Sequence, residues 1–249
     1  MARTSSKRKA PVRRKARPAH IVEKAVPFRA GTTQTSDLLF MAFMAVMANV
    51  LAFIAIAGPL KIRFSLTAVP ILIVALTRGW RNGSIVGLLG GVVQAYQYGS
   101  FWYVFLTYIL GLVAGYLAFN NGFLRSLAPL AAGFGGFFIF WSIDIVSDVP
   151  GSIPLSLPYR GLSGFVIFSA GVYLLAKKFG LERNSFLAFT LAGCAGAVAY
   201  IPYDLCLLRW IQGFPLAPAL IIIAKDMAQD FTAAVIASLL LQYPRLRSR

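Results

Sequence analysis

Long apolar runs, rather than alternating apolar and polar positions, dominate the chain from residue 38 onward. There are eight of these runs, at residues 38–58, 64–78, 83–98, 101–119, 126–146, 161–177, 186–208 and 216–242. About 20 apolar residues are enough for a helix to cross a bilayer, and continuous runs are not the alternating pattern of a β-barrel. The pattern therefore predicts an all-α, polytopic transmembrane helical bundle of about eight helices.

The second and third runs are the weakest transmembrane segments. The second is short and contains Pro70, and the third contains a series of glycines. Both are expected to tilt, break or fall short of a full crossing, which sets a range of six to eight helices. If the two formed a re-entrant hairpin, Arg78 and Arg81 would lie at membrane depth, and this is costly unless the hairpin crosses.

The composition agrees with a membrane location. The chain has 249 residues, of which 58% are hydrophobic and 13% charged, and its mean hydropathy is +0.72. Soluble domains usually carry about a quarter of charged residues. We therefore expect a multi-pass protein of the cell (plasma) membrane, with the lipid bilayer as its first partner.

The net charge of +16 is concentrated at the amino terminus, where ten of the 24 Lys and Arg residues lie within the first 29 positions. This basic, proline-interrupted stretch predicts a disordered cytosolic tail over residues 1–35, followed by a transmembrane domain over 36–244. The tail either only sets topology or also contacts anionic lipid or RNA. With eight crossings, few basic residues fall outside, which predicts cytosolic amino and carboxyl termini. The outside residues are Lys61, Arg63, Arg160 and Arg209.

The order of features also suggests an internal repeat. Residues 36–122 and 123–244 each read as a long helix, a proline-containing loop, a helix, a basic turn, a helix rich in small residues and a final helix. Four helices per half would give a parallel 4+4 repeat. Two unrelated bundles of Ala- and Gly-rich helices would give a similar pattern, so both origins remain open.

The last apolar run contains the strongest candidate site. At about 100° per residue in a helix, Lys225, Asp226, Gln229 and Asp230 fall on one face. A charged face turned toward lipid costs several kcal/mol per charge, so this face is expected to meet protein or water. The pattern predicts that these four residues bind a substrate, with a structural ion pair as the alternative.

Further polar and aromatic candidates lie near the predicted outer ends of the helices. They are Asp144, Asp204, Arg209, Tyr96 and Trp102. Carboxylates and an arginine at this depth can share the interior with the last helix. Aromatic residues at this level either belong to the interfacial belt or stack on a flat ligand.

Enzyme signatures are missing from the sequence. The single histidine, His20, lies in the tail, and Cys194 and Cys206 lack metal-ligand spacing. No nucleotide-binding P-loop, HExxH or GxSxG motif is present. We therefore predict that the chain is not an enzyme and has no catalytic residues, metal site or cofactor. The classes of function that remain are transport, binding and scaffolding.

Two stretches of the chain resemble a known family. The first, Lys61–Ala118 ("KIRFSLTAVPILIVALTRGWRNGS…"), follows a small-residue helix with a proline-containing short helix and a Gly-rich helix. The second, "GFPLAPALIIIAKDMAQDFTAAVIASLLL", has a proline-rich entry and polar residues within an apolar run. Together they resemble the substrate-binding S components of energy-coupling factor (ECF) vitamin transporters.

The resemblance implies a bundle that binds a vitamin or similar small molecule near its outer face. It also implies partners, namely a transmembrane coupling protein and ATPase subunits. Ala48 and Ala52 match the family's AxxxA contact on the first helix, which implies docking of the coupling protein there. The same spacing also suits packing within the chain's own bundle. Two departures are the count of eight helices, where six are usual, and the long basic tail.

Three functions are therefore weighed. The leading hypothesis is a substrate-binding subunit of an ECF-type importer with no ATPase activity of its own. The second is a stand-alone, proton-coupled secondary transporter that uses Asp226 or Asp230 as proton carrier. The third is a membrane scaffold whose basic tail recruits lipid, RNA or a partner protein.

Overall fold

The chain was analysed as a computed structural model, which describes residues 35–54, 56–57, 63–147, 159–179 and 185–247. The basic tail lies outside these residues, so its predicted role is untested. The helices of the first half are α1 (Thr35–Phe53), α2 (Ala68–Arg78), α3 (Trp80–Gly90), α4 (Val92–Gln97) and α5 (Val104–Phe119). Those of the second half are α6 (Asn121–Ser147), α7 (Tyr159–Phe179), α8 (Phe186–Ala199), α9 (Ile201–Cys206) and α10 (Leu216–Arg247).

Three short elements complete the described structure. Strands β1 (Ile56–Ala57) and β2 (Arg63–Phe64) pair antiparallel between α1 and α2. A 3-10 turn, Phe101–Tyr103, leads into α5, and a π-helix, Leu207–Ile211, extends α9. The hydrophobic pattern predicts neither the two-stranded ribbon nor the π-helix, because both depend on local hydrogen bonding rather than on apolar periodicity.

Each of the eight predicted apolar segments contains at least one described helix, which confirms the all-α membrane bundle. Three described helices are long and apolar enough to cross a membrane by length and composition: Thr35–Phe53, Phe101–Phe119 and Phe186–Ile211. Helix α10 has 32 residues, or roughly 48 Å at 1.5 Å per residue. Its length therefore also suffices, although it carries the charges of Lys225, Asp226 and Asp230.

The second and third segments are short or broken, as their sequences predict. Helix α2 has 11 residues, or roughly 16 Å, against a hydrocarbon core of about 30 Å. It lies inside the bundle, where Ile71, Leu72 and Val74 have no exposed surface. The third segment is divided into α3 and α4 at Gly91. Helix α2 therefore belongs to the interior of the bundle, where it packs against α1, α3, α5 and α10.

Helices α3 and α5 are in contact through their backbones. A Cβ atom on Gly87 would overlap the carbonyl oxygen of Thr107, and one on Gly111 would overlap the carbonyl oxygen of Gly83. In a membrane no hydrophobic force draws helices together, so small residues that allow close contact stabilise the pair. The glycine series thus fixes α5 against α3.

The antiparallel packing gives the bundle two distinct ends. Arg78, at the end of α2, forms a 2.8 Å ion pair with Asp37 at the start of α1. The start of α2 lies at the opposite end, where the backbone N–H of Ser65 donates to Gln229 of α10. The predicted topology places the Arg78 end in the cytosol. The polar stretch of α10 therefore faces the predicted outer half of the bundle.

Candidate functional site

A narrow polar cavity lies at the end of the bundle opposite the ion pair of Arg78 and Asp37. Its free volume is about 20 Å³, roughly the space of one water molecule. Residues from α2, α4, α5, α10 and the loops that join them line it. They are Thr67, Ala68, Gln94, Tyr98, Tyr103, Leu106, Thr107, Leu110, Tyr200, Asp226, Gln229 and Asp230. Five separate stretches of the sequence thus contribute residues to the lining of this cavity.

Asp226, which lines the cavity, forms an ion pair with Lys225. The Lys225 ammonium lies 2.8 Å from Asp226 Oδ1, and both side chains are 14% exposed. The same ammonium donates to the Tyr98 hydroxyl at 3.2 Å and lies 5.7 Å from the centre of the Tyr98 ring. Lys225 therefore both balances Asp226 and holds Tyr98 over the cavity.

One turn further along α10, Gln229 and Asp230 are fixed by residues from other helices. The Tyr200 hydroxyl donates to Asp230 Oδ2 at 2.6 Å, and both residues are buried. Gln229 accepts from the backbone N–H of Ser65 at 3.0 Å and donates to the Ser65 hydroxyl at 3.3 Å. These short contacts hold both polar groups in place without a ligand.

Asp204 differs from Asp226 and Asp230 because its carboxyl group forms no hydrogen bond with the described residues. The residue has no exposed surface, and neither carboxylate oxygen has a hydrogen-bond partner among the described residues. It interacts electrostatically with Asp226, Lys225 and Asp230. Burying a carboxyl group without a hydrogen-bond partner is costly, so a cationic or hydrogen-bond-donating group placed beside Asp204 would offset this cost.

An aromatic segment, Tyr98–Tyr103, closes the cavity toward the predicted outer face. The Tyr98 and Tyr103 rings stack with centroids 4.6 Å apart. The Tyr103 hydroxyl donates to Gln212 at 3.2 Å, and the Trp102 carbonyl accepts from the Tyr203 hydroxyl at 3.0 Å. The segment is therefore tied on both sides by single hydrogen bonds rather than by apolar burial alone.

The structure brings together only part of the predicted site. Asp226, Gln229 and Asp230 line the cavity, and Lys225 forms an ion pair with Asp226. Asp204 interacts electrostatically with Lys225, Asp226 and Asp230. A helical face can be read from spacing, because all four α10 residues share one element. Their interior position agrees with the cost of exposing charge to lipid.

Three other predicted residues lie away from the cavity lining. Tyr96 is 84% exposed, on the outer side of α4. Arg209 is exposed and donates to the backbone carbonyl of Phe214 at 3.3 Å. Trp102 is 50% exposed, and its backbone carbonyl accepts the hydrogen bond of the Tyr203 hydroxyl. An interfacial position suits both aromatic rings, and their contacts with a ligand stay a prediction. The side chain of Asp144 lies outside the described residues.

Several cavity residues are absent from the predicted site. Tyr98, Tyr103 and Tyr200 also lie near the predicted outer ends of the helices. Nothing in the sequence distinguishes them from the aromatic residues of an interfacial belt. Gln94 is a polar residue in the glycine-rich third segment. A glutamine within an apolar run is a signal from which it could have been predicted as a site residue. Thr67 and Thr107 carry no such signal, because threonine is common in membrane helices.

The alanine pair of α1 packs inside the chain. Ala48 and Ala52 are 0% and 2% exposed, and a Cβ atom on Gly90 would lie 2.7 Å from the Ala48 Cβ. Of the two interpretations of this spacing, the structure shows packing within the bundle. A contact of these alanines with a coupling protein stays a prediction, and it would require α1 to separate from α3.

The fold and the cavity define a polytopic helical membrane protein with an enclosed polar site, an arrangement suited to binding or transporting a small molecule. Residues 38–138 match the family model of the thiamine transporter protein, which describes ECF transporter S components. The match covers about two fifths of the 249 residues. Searches of curated proteins and of solved structures find no match.

The family match confirms the resemblance to S components and places the chain among transport proteins rather than enzymes. Together with the apolar helices, it supports a multi-pass location in the plasma membrane. The matched residues include α1 to α5 and hence the α2, α4 and α5 walls of the cavity. The α10 wall, with its charged residues, lies beyond the match.

Proposed function

We propose that the chain is the substrate-binding subunit of an ECF-type vitamin importer and that thiamine is its first candidate substrate. The buried polar cavity, with three carboxylates and one lysine around it, carries the proposal. The family name supplies the candidate vitamin. S components act with a transmembrane coupling protein and ATPase subunits, and we propose the same partners here.

The charges around the cavity suit a cationic ligand. Lys225 balances Asp226, and Tyr200 donates to Asp230, but neither oxygen of Asp204 has a hydrogen-bond partner among the described residues. The thiazolium ring of thiamine carries a permanent positive charge. Aromatic faces attract such a cation, and the stacked rings of Tyr98 and Tyr103 border the cavity. A ligand with a cationic ring would therefore find both a carboxyl group and aromatic faces at this site.

Binding of a vitamin requires the cavity to widen. Pockets for small organic ligands are usually of about 300–1,000 Å³, far above the present free volume of about 20 Å³. The aromatic segment Tyr98–Tyr103 is the wall that is most easily displaced, because it is held by the hydrogen bonds of Lys225, Gln212 and Tyr203. We therefore expect the ligand to enter beside this segment.

A thermal-shift screen of the purified chain tests this function. The screen compares thiamine with riboflavin, biotin, pantothenate and nucleobases, using wild type, Asp226→Asn and the distant control Asp37→Asn. We expect thiamine to raise the Tm of wild type and of Asp37→Asn by several degrees, because a ligand that binds the folded state stabilises it. Asp226→Asn should lose most of the shift. The proposal fails if no compound stabilises wild type.

A proton-coupled secondary transporter is the second candidate, favoured by the buried carboxylate of Asp230 and the largely buried one of Asp226 on a membrane helix. Ionisable groups at this depth often mark proton pathways. Reconstitution into liposomes separates the two candidates. Uptake by the chain alone, driven by a pH gradient, would support the secondary transporter. Uptake only with the coupling protein, the ATPase subunits and ATP would support the importer.

A further inference from the structure

The Asn49 side chain of α1 bonds to both sides of the break between α3 and α4. Its Nδ2 donates to the Leu89 carbonyl at 2.8 Å, and its Oδ1 accepts from the Val93 backbone N–H at 2.9 Å. The second Nδ2 hydrogen is directed to the Ala45 carbonyl of its own helix at 2.9 Å. The carboxamide therefore has partners for both donors and for its acceptor.

The two backbone groups of α3 and α4 that Asn49 contacts lie four residues apart, one on each side of the break. In an uninterrupted α-helix the N–H of residue 93 would bond to the carbonyl of residue 89, four positions earlier. The carboxamide thus lies between two groups that would otherwise bond to each other, and the helix breaks at Gly91 between them. Insertion of a side chain into the helical hydrogen-bond ladder is a known physical cause of kinks.

A second contact fixes the far end of α4 to the same helix. Gln97 Nε2 donates to the Ala52 carbonyl of α1 at 3.2 Å, close to one turn beyond Asn49. Both ends of α4 are therefore held by α1. Because α4 has only six residues, these two attachments determine its direction.

The direction of α4 determines where two cavity residues lie. Gln94, within α4, and Tyr98, which follows it, both line the cavity. Tyr98 stacks on Tyr103 and accepts from Lys225. We propose that Asn49 is a positioning residue that sets the direction of α4 and so places Gln94 and Tyr98 at the ligand cavity. It acts through backbone groups and does not touch the ligand.

A distance measurement tests this placement without any ligand. Spin labels at positions 96 and 210 suit it, because Tyr96 and Trp210 are 84% and 81% exposed, in a background with Cys194→Ala and Cys206→Ser. Asn49→Leu removes all three hydrogen bonds with little change in size. A 20° change in direction would move position 96 by roughly 3 Å, since it lies about 7.5 Å along the helix from the break. We expect a shift of this size in the mean label distance.

The control is Asn82→Leu, because Asn82 is a half-buried asparagine of α3 whose one hydrogen bond within the described residues is to the Arg78 carbonyl of the adjoining turn, at 3.4 Å. It should leave the label distance unchanged. Asn49→Asp keeps the acceptor for Val93 but loses the donor to Leu89, so it should give a smaller shift than Asn49→Leu. It also serves if Asn49→Leu does not fold. A wild-type distance in the variant that folds would overturn the proposal.

Thiamine affinity provides the second readout and rests on the proposed function. We expect Asn49→Leu to weaken thiamine binding about tenfold and Asn82→Leu to leave it within twofold. Unchanged affinity in Asn49→Leu, together with an unchanged distance, would overturn the positioning role. If wild type does not bind thiamine, the proposed function fails, whereas the label distances still decide the role of Asn49.

Discussion

Replacing Asp204 with asparagine is expected to weaken thiamine binding about 100-fold and to raise the stability of the ligand-free protein. The first effect follows because the variant removes a buried carboxylate that has no hydrogen-bond partner among the described residues. In the complex this carboxylate would attract the positive charge of the ligand. A 100-fold loss corresponds to about 2.7 kcal/mol. The second effect follows because a neutral amide is less costly to bury than an unpaired charge.

The opposite signs of these two effects make the experiment informative. Thermal unfolding of the ligand-free variant and a thiamine titration give both values. A gain in stability is expected, because the amide of the variant carries no charge that must be buried. Asp37→Asn is the matched control, since Asp37 pairs with Arg78 at the surface of the other end. If Asp204→Asn binds thiamine as wild type does, Asp204 has no part in recognition.

Replacing Gly111 with leucine is expected to prevent stable folding of the bundle. A Cβ atom at Gly111 would overlap the Gly83 carbonyl and lie 3.1 Å from the Ser84 backbone nitrogen. Because these are backbone atoms within α3, no side-chain rotation can relieve the overlap, and α5 must move away from α3. Overpacking of this kind usually costs about 1–3 kcal/mol, occasionally more, and a four-carbon side chain against backbone belongs at the upper end.

Gly171 of α7 provides the matched control for this substitution. It is also a glycine within an apolar helix, but nothing lies within 4 Å of a Cβ atom placed there. Gly171→Leu should leave stability unchanged or raise it slightly, because leucine favours a helix more than glycine by roughly 0.8 kcal/mol. Size-exclusion profiles and thermal unfolding in detergent compare the two variants. Equal behaviour would contradict the backbone contact between α3 and α5.

The positions of the helices could be predicted from the sequence because membrane helices obey a simple constraint. Each must satisfy its backbone polar groups internally and present apolar side chains to lipid. All eight predicted segments therefore contain helix. The weakness of the second and third was also predictable, because Pro70 suits only the first turn of a helix and glycine favours a break such as the one at Gly91.

The candidate site could be predicted only where its residues share one helix. Lys225, Asp226, Gln229 and Asp230 are related by the helical period, so their common face follows from spacing. Tyr200 lies 30 positions from the Asp230 carboxylate to which it donates, and no local pattern records that distance. Gln94 reaches the cavity only because α4 turns at Gly91, a break that involves Asn49 more than 40 positions away.

The small-residue pair of α1 shows a different limit. Ala48 and Ala52 have the spacing of a close helix contact, but the spacing does not say which helix is in contact. In the structure the partner is the chain's own α3, where Gly90 faces Ala48. A docking surface for a coupling protein on α1 would use its exposed side, where Phe43, Val46 and Val50 are about half exposed or more.

Isothermal titration of thiamine into the purified wild-type chain, without coupling protein or ATPase subunits, tests the central claim most directly. The account predicts saturable binding of one thiamine per chain, with Asp226→Asn binding much more weakly and Asp37→Asn binding as wild type does. No heat of binding from wild type, or equal affinities for wild type and Asp226→Asn, would contradict a thiamine site at the α10 cavity.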